Sequence, residues 1–156
     1  MGSKRLMTDV WFYHLEKQPL EHVLPRIVAK AIERGLPMVI ETNSQDQVTK
    51  ISDMLWAAED VAFLPHGFEG DGQGELQPVW LTSGADNPNE SKMRIYTYDA
   101  IPGDISMLSR AMLMFDGNDP QALDAARAEW KRHKAAGHQV SYWRQDESGK
   151  WQDQAK

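Results

Sequence analysis

The first sixty residues alternate short apolar runs with amphipathic segments, and this alternation constrains the fold more than any other feature. The runs Asp9–Leu15 and Met38–Ile40 predict buried strands. Residues 19–34 carry apolar side chains at helical spacing, and Ser44 is a suitable cap for a second helix that extends to about Ala58. Strand, helix, strand and helix with tight connections are typical of an α/β domain with a largely parallel sheet.

The rest of the chain continues the same architecture without a linker or a repeat. Asp119 and Pro120 predict the start of a last helix that runs to Ala136, because Asp is a good N-cap and Pro suits the first helical turn. The glycine-rich stretch Gly67–Gln77 predicts a surface loop. Further strands are predicted at Pro78–Thr82, Met93–Tyr98, Ala111–Phe115, His138–Arg144 and Lys150–Asp153, the last two as a hairpin around a turn at 146–149. One domain over residues 7–156 is expected, after a probable expression scar at residues 1–6.

Composition excludes several classes of protein. The chain of 156 residues has no cysteine, which excludes disulfides, thiolate metal sites and cysteine nucleophiles. No apolar run approaches the roughly 20 residues needed to cross a bilayer. The start of the chain does not have the pattern of a signal peptide. A cytoplasmic protein without a membrane partner is therefore expected.

Charge is unevenly distributed along this chain of net charge −6. The segment from Glu41 to Glu75 carries eight acidic residues and one lysine, whereas residues 127–138 carry four cations and one acid. An acidic protein with one short basic stretch is a poor general binder of nucleic acid. The distribution instead favours a local site for an anionic partner.

No motif in the sequence predicts catalysis, a cofactor or a metal. The stretch Gly67–Gly74 lacks the Lys and Ser/Thr of a phosphate loop, and a predicted strand follows it, whereas a dinucleotide fingerprint requires a helix. None of the five histidines has a partner at the spacing of a metal-binding helix. The nucleophile elbow of hydrolases is also absent. We therefore expect a protein that is not an enzyme.

The last predicted helix carries the strongest candidate for a binding site. Arg127, Trp130 and Lys131 stand at positions i, i+3 and i+4, so they share one face of the helix. Cations near a helix C-terminus are favoured in any protein, so capping and solvation are one interpretation. The other is a site in which an aromatic plate between two cations binds an aromatic side chain together with a carboxylate.

Phe63 leaves two interpretations open. It lies in the stretch Phe63-Leu64-Pro65-His66-Gly67, after the second predicted helix and a short acidic turn. The side chain could fill a gap in the core. Alternatively, Pro65 could hold it outward as an anchor for a partner protein.

Several stretches together resemble a known family, the chi subunit of bacterial DNA polymerase III holoenzyme, which is an accessory protein of the clamp loader. The resemblance covers the chain from about Met7 to Trp151. It rests on Phe12-Tyr13-His14-Leu15, Asp53-Met54-Leu55-Trp56, Phe63-Leu64-Pro65-His66-Gly67, Glu69-Gly70-Asp71-Gly72, Ala126-Arg127-Ala128-Glu129-Trp130-Lys131 and Ala135-Ala136-Gly137-His138.

The resemblance implies a single Rossmann-like α/β domain with helices on both faces of the sheet and no catalytic site. It also implies a partner, the acidic C-terminal tail of single-stranded DNA-binding protein, which ends in an aromatic residue and a free carboxylate. The residues that match are Arg127, Trp130, Lys131 and His138. A second implied partner is the psi subunit of the clamp loader, contacted by Phe63, and DNA would be bound only indirectly or weakly.

One departure from the family concerns the proposed tail site. Asp116 stands just before the last helix, where relatives can carry an apolar residue, so one wall of the site differs. Two alternatives to the family function remain at this point. The chain could be a small nucleotide-binding enzyme of Rossmann type with the glycine loop as its site, or a weak direct binder of single-stranded DNA through Arg127–Lys134 and exposed tryptophans.

Overall fold

The computed structural model describes residues 7–58, 64–68 and 73–154. Within these residues, the chain forms three α-helices and eight strands. They are β1 (Asp9–Leu15), α1 (Leu20–Glu33), β2 (Met38–Glu41), α2 (Gln45–Ala57), β3 (Gly67–Phe68), β4 (Val79–Thr82), β5 (Met93–Tyr96), β6 (Arg110–Asp116), α3 (Pro120–Ala135), β7 (Gln139–Gln145) and β8 (Trp151–Asp153). A short 3-10 helix, Gly74–Leu76, precedes β4.

All eight strands form one sheet in the order β3-β4-β2-β5-β6-β1-β7-β8. Every neighbouring pair is parallel except β7 and β8, which form the predicted antiparallel C-terminal hairpin. β1 lies in the interior of the sheet between β6 and β7, which explains why its sequence is a continuous apolar run. The predicted parallel sheet is thereby confirmed.

Helices cover both faces of the sheet, as expected. Side chains alternate along β1, so Tyr13 and Leu15 join the core cluster that contains the buried residues of α1 and α2. Val10 and Phe12 point to the other face, where they pack with Ala126 of α3. The sheet therefore separates α3 from α1 and α2.

The prediction of a surface loop at Gly67–Gln77 is wrong at its first two residues and at Gly74. Gly67 and Phe68 form the edge strand β3, paired in parallel with Trp80 and Leu81 of β4. Gly74 is buried, and a Cβ at this position would lie only 2.6 Å from Pro88. A strand of two residues is too short to produce a hydrophobic pattern, so its pairing with β4 could not be detected in composition.

Candidate functional site

Helix α3 is held at both ends by the residues that the sequence indicated. The carboxylate of Asp119 accepts a hydrogen bond from the backbone N–H of Gln121 at 3.0 Å, and Pro120 is the first helical residue. At the other end Gly137 adopts a left-handed conformation with φ of 92°, which suits glycine and ends the helix. These caps fix α3 against β6 and β7 and thereby fix the positions of its exposed side chains.

Trp130 packs into the core on the α3 face of the sheet while one part of its side chain remains accessible. Its ring centroid lies 5.4 Å from that of Phe12 and 6.0 Å from that of Tyr142, the latter in an edge-to-face arrangement. Packing therefore accounts for a tryptophan at this position. The ring is held rigidly, which is also what a binding surface requires of an aromatic residue.

Arg127 is an exposed cation one helical turn before Trp130. Its side chain is 72% exposed, and its Nη1 lies 3.5 Å from the Asp124 carboxylate, which is itself 79% exposed. An exposed ion pair of this kind contributes about 0–1 kcal/mol, so another carboxylate could replace Asp124 at little cost. Lys131 is also exposed on the helix.

Strand β7 contributes Tyr142 to this surface. Burial raises the pKa of Tyr142, while the charges of Arg144 and Arg127 lower it. The Tyr142 hydroxyl lies 2.6 Å from Nδ1 of His14 on β1. We call Arg127, Trp130, Lys131 and Tyr142 the α3–β7 surface.

The acidic residue nearest in sequence to Trp130 is engaged elsewhere. Glu129 accepts hydrogen bonds from Nε and Nη2 of Arg132 at 3.0 and 2.7 Å, and its Oε1 lies 3.1 Å from Nε2 of the buried His133. Burial alone would raise the pKa of Glu129, but Arg132 and His133 together lower it. The Glu129 carboxylate therefore stays ionised within this cluster, where Arg132 neutralises it.

His138 lies apart from the rest of the predicted tail site. Its Nδ1 accepts a hydrogen bond from the backbone N–H of Thr8 at 3.1 Å, which ties the residue before β7 to the residue before β1. It stands four residues before Tyr142, about 13 Å along an extended strand. The structure brings Trp130 together with Tyr142 in the middle of β7, and it places His138 directly before the first residue of that strand.

Two further residues singled out by the sequence bear on the site. Asp116 ends β6 and is exposed, and its Oδ1 accepts a hydrogen bond from the backbone N–H of Asn118 at 2.9 Å. It lies beyond the N-terminus of α3, about two helical turns from Arg127. Phe63 lies outside the described residues. The preceding helix α2 ends beside Trp56, which is 57% exposed with its ring 4.7 Å from that of His66.

Sequence reasoning did not find Tyr142, Arg144 and His14 as neighbours of the site. Their proximity depends on β7 pairing in parallel with β1, which places His14 opposite Arg144 and Phe12 opposite Tyr142. The residues are about 130 positions apart in the chain. The sequence shows which side chains alternate along each strand, but it does not show the order of the strands in the sheet.

Two kinds of feature do not occur in the part of the chain that the structure describes. None of the helices there is both long and apolar enough to cross a membrane. The same residues contain no group of three or more His, Cys, Asp or Glu side chains arranged to hold a metal ion.

Comparison with known proteins gives two consistent matches. The profile of a family described as DNA polymerase III chi subunit, HolC, matches residues 7–141. A probable DNA polymerase III subunit chi from Rickettsia prowazekii (strain Madrid E) is 25% identical over 91 residues, which are 58% of this chain and 55% of that protein. The match thus spans about half the length of this curated relative. Because the profile covers most of the chain, including all of α3, this chain belongs to the DNA polymerase III chi subunit family.

Proposed function

We propose that the chain is a non-catalytic accessory subunit in DNA replication. In this proposal it binds the acidic C-terminal tail of single-stranded DNA-binding protein at the α3–β7 surface and links that protein to the polymerase complex. The observation that carries the proposal is the placement of Arg127, 72% exposed, on the same helix face as the rigidly packed Trp130. This cationic and aromatic site stands on a protein of net charge −6.

The chemistry of the tail fits the residues of the surface. Arg127 would bind the terminal carboxylate through its guanidinium fork and exchange its weak pair with Asp124 for this contact. The final aromatic ring would pack on the accessible part of Trp130. Lys131 would attract the acidic residues that precede the end of the tail, mainly by steering the encounter.

His138 would contact a more distant part of the same tail. Since its Nδ1 accepts from the Thr8 backbone, Nε2 is the ring nitrogen that can donate to an acidic side chain. An extended peptide could run from Arg127 towards His138 across the exposed residues of α3 and β7.

The proposed link to the polymerase complex runs through a psi subunit that contacts Phe63. The exposed indole of Trp56 at the end of α2 supports an interaction surface in this region. Since α2 and α3 cover opposite faces of the sheet, the two partners could bind at the same time.

Titration of a labelled peptide copy of the acidic tail tests the proposed function directly. We expect saturable binding that weakens with salt, while ATP and NAD do not bind. Arg127→Ala should weaken peptide binding strongly, whereas the control variant Lys50→Ala, which removes an exposed cation from α2 on the opposite face of the sheet, should bind like the wild type. Equal affinities of the two variants for the peptide, or binding of either nucleotide, would contradict the proposal.

A further inference from the structure

A groove lies on the face of the sheet opposite α3, between α1 and the end of the sheet formed by β1, β7 and β8. Its volume is about 540 Å³. We call it the α1 groove. Its lining includes four cations and four aromatic residues: the cations are Arg26, Lys30, Arg34 and Arg110, and the aromatic residues are Trp11, Tyr13, Trp143 and Trp151.

The charge of the α1 groove is opposite to that of the protein as a whole. Four cations line it, and none of the described residues in its lining is acidic, although the chain has a net charge of −6. Arg26, Lys30 and Arg34 follow each other at four-residue intervals, which places them about 6 Å apart along one side of α1. A row of evenly spaced cations suits a ligand with regularly repeated negative charges.

Aromatic rings form the floor of the groove. The ring centroids of Trp11 and Trp143 lie 5.2 Å apart, and Tyr13 meets Trp151 edge to face at 5.0 Å. All three tryptophans are only partly buried, so parts of their rings face the groove. The Arg110 guanidinium lies 3.8 Å above the ring of Trp11 in a cation–π contact.

Two buried hydrogen-bond donors in the groove have no acceptor among the described residues. They are Nε of Arg110 and Nε1 of Trp143. Buried donors are normally paired, so an unpaired one points to a partner that enters from outside. Both atoms are buried, so acceptor oxygens of a ligand in the groove would reach them only after neighbouring side chains move.

We propose that the α1 groove binds a short stretch of single-stranded nucleic acid. Bases would stack on the accessible tryptophan faces, and phosphates would follow the cations of α1, chiefly Lys30 and Arg34. An acidic peptide could use the cation row, but it would leave the broad aromatic floor without a matching group. The groove is on the opposite face from the α3–β7 surface, so this proposal does not depend on the proposed function.

The test measures the affinity of the full chain for labelled oligothymidylate and oligouridylate by fluorescence anisotropy at about 50 mM salt. The double variant Lys30→Gln/Arg34→Gln should bind at least one of the two oligonucleotides tenfold more weakly, or worse, than the wild type does. The slope of log affinity against log salt concentration should fall by about one for each cation removed. Both side chains are exposed, so the fold should be unaffected, which a thermal melt checks. Trp143→Phe, which keeps a ring but removes the unpaired donor, should weaken binding severalfold.

The matched control is Lys131→Gln/Lys134→Gln, which removes the same charge from α3. It should bind both oligonucleotides like the wild type. Binding of either one to the wild type, with loss confined to the α1 variants, supports the proposal. Three results would overturn it. The first is no binding of either oligonucleotide at this salt, and the second is an equal loss of oligonucleotide affinity in the control variant. The third is binding of an oligoglutamate peptide in place of nucleic acid, with that binding lost in the α1 variant.

Discussion

The ring of Trp130 lies 5.4 Å from the ring of Phe12, so the aromatic residue of the proposed tail site is also part of the hydrophobic core. Removing Trp130 would change both stability and binding. A loss of binding in such a variant would therefore not identify a contact with the tail. The two effects can be separated only by substitutions that preserve the packing.

Trp130→Ala should destabilise the fold by about 3 kcal/mol, at the lower end of the range for a large aromatic residue because Trp130 is only half-buried. Trp130→Phe retains a ring against Phe12 and should cost much less. Denaturant unfolding of both variants measures the difference. If Trp130→Ala unfolds at the same midpoint as the wild type, the packing described for α3 is wrong.

Gly117→Ala should destabilise the protein by about 1–3 kcal/mol, because overpacking forces neighbouring groups to move. A methyl group at this position would overlap the imidazole of His14, which is hydrogen-bonded to Tyr142. Gly103→Ala is the matched control, since nothing lies within 4 Å of a Cβ there. Chemical denaturation should give clearly different midpoints for the two variants, and identical midpoints would contradict the position of His14.

Stability should fall as the pH drops below neutral. Burial, followed by the charge of Arg144, lowers the pKa of His14, and burial with Arg132 lowers that of His133. In the unfolded chain both histidines regain a pKa near 6.5. Below that pH the unfolded state binds more protons than the folded state, so acidification favours unfolding. The stability that these two histidines provide while neutral is therefore fully present above about pH 6.5 and is lost as the pH falls below it.

Thermal melts between about pH 7.5 and pH 5 test this window, in which free carboxyl groups scarcely titrate. The double variant His14→Gln/His133→Gln should show a flatter dependence of melting temperature on pH than the wild type. His22→Gln, on α1, serves as the control. A double variant with the wild-type slope would show that these two histidines do not carry the effect.

Phe63→Ala should leave the melting temperature nearly unchanged and weaken binding of a psi subunit by about 2 kcal/mol or more, as expected for an interface anchor. Leu76→Ala is a control for loss of an exposed apolar side chain, since Leu76 is 72% exposed. If Phe63 is instead a core residue, the change should cost about 3–5 kcal/mol of stability. A large drop in melting temperature would refute the role of Phe63 as an anchor.

The architecture could largely be predicted because each helix and most strands are specified by residues that are adjacent in the sequence. The apolar run of β1, the capping of α2 by Ser44 and the Asp119-Pro120 start of α3 each follow from a few adjacent residues, and the structure confirms them. The edge strand β3 could not be predicted, because two residues carry no periodicity.

The composition of the sites depends on contacts between distant segments. The spacing of Arg127, Trp130 and Lys131 was visible on one helix, but the approach of Tyr142 requires the strand order β6-β1-β7. In the same way, the cation row of α1 stands in the sequence at regular intervals. The tryptophans opposite it come from β1, β7 and β8, and only the folded sheet brings them together.

Arg127 is central to the proposed function because a hydrogen bond to a charged group is worth about 1.5–3 kcal/mol. Arg127→Ala should therefore weaken binding of the tail peptide by roughly tenfold to a hundredfold. Arg127→Lys should restore only part of the affinity, since an ammonium group cannot form the fork that binds a carboxylate. Full restoration by lysine would show that charge alone is sufficient.

The most direct test of the tail site combines this variant with a change in the peptide. The affinity of the wild type and of Arg127→Ala is measured for the tail peptide with a free C-terminus and for the same peptide amidated. If Arg127 binds the terminal carboxylate, amidation should weaken binding to the wild type strongly and should have little further effect on Arg127→Ala. An equal loss of affinity in both proteins would show that Arg127 is not the partner of the carboxylate and would contradict the proposed site.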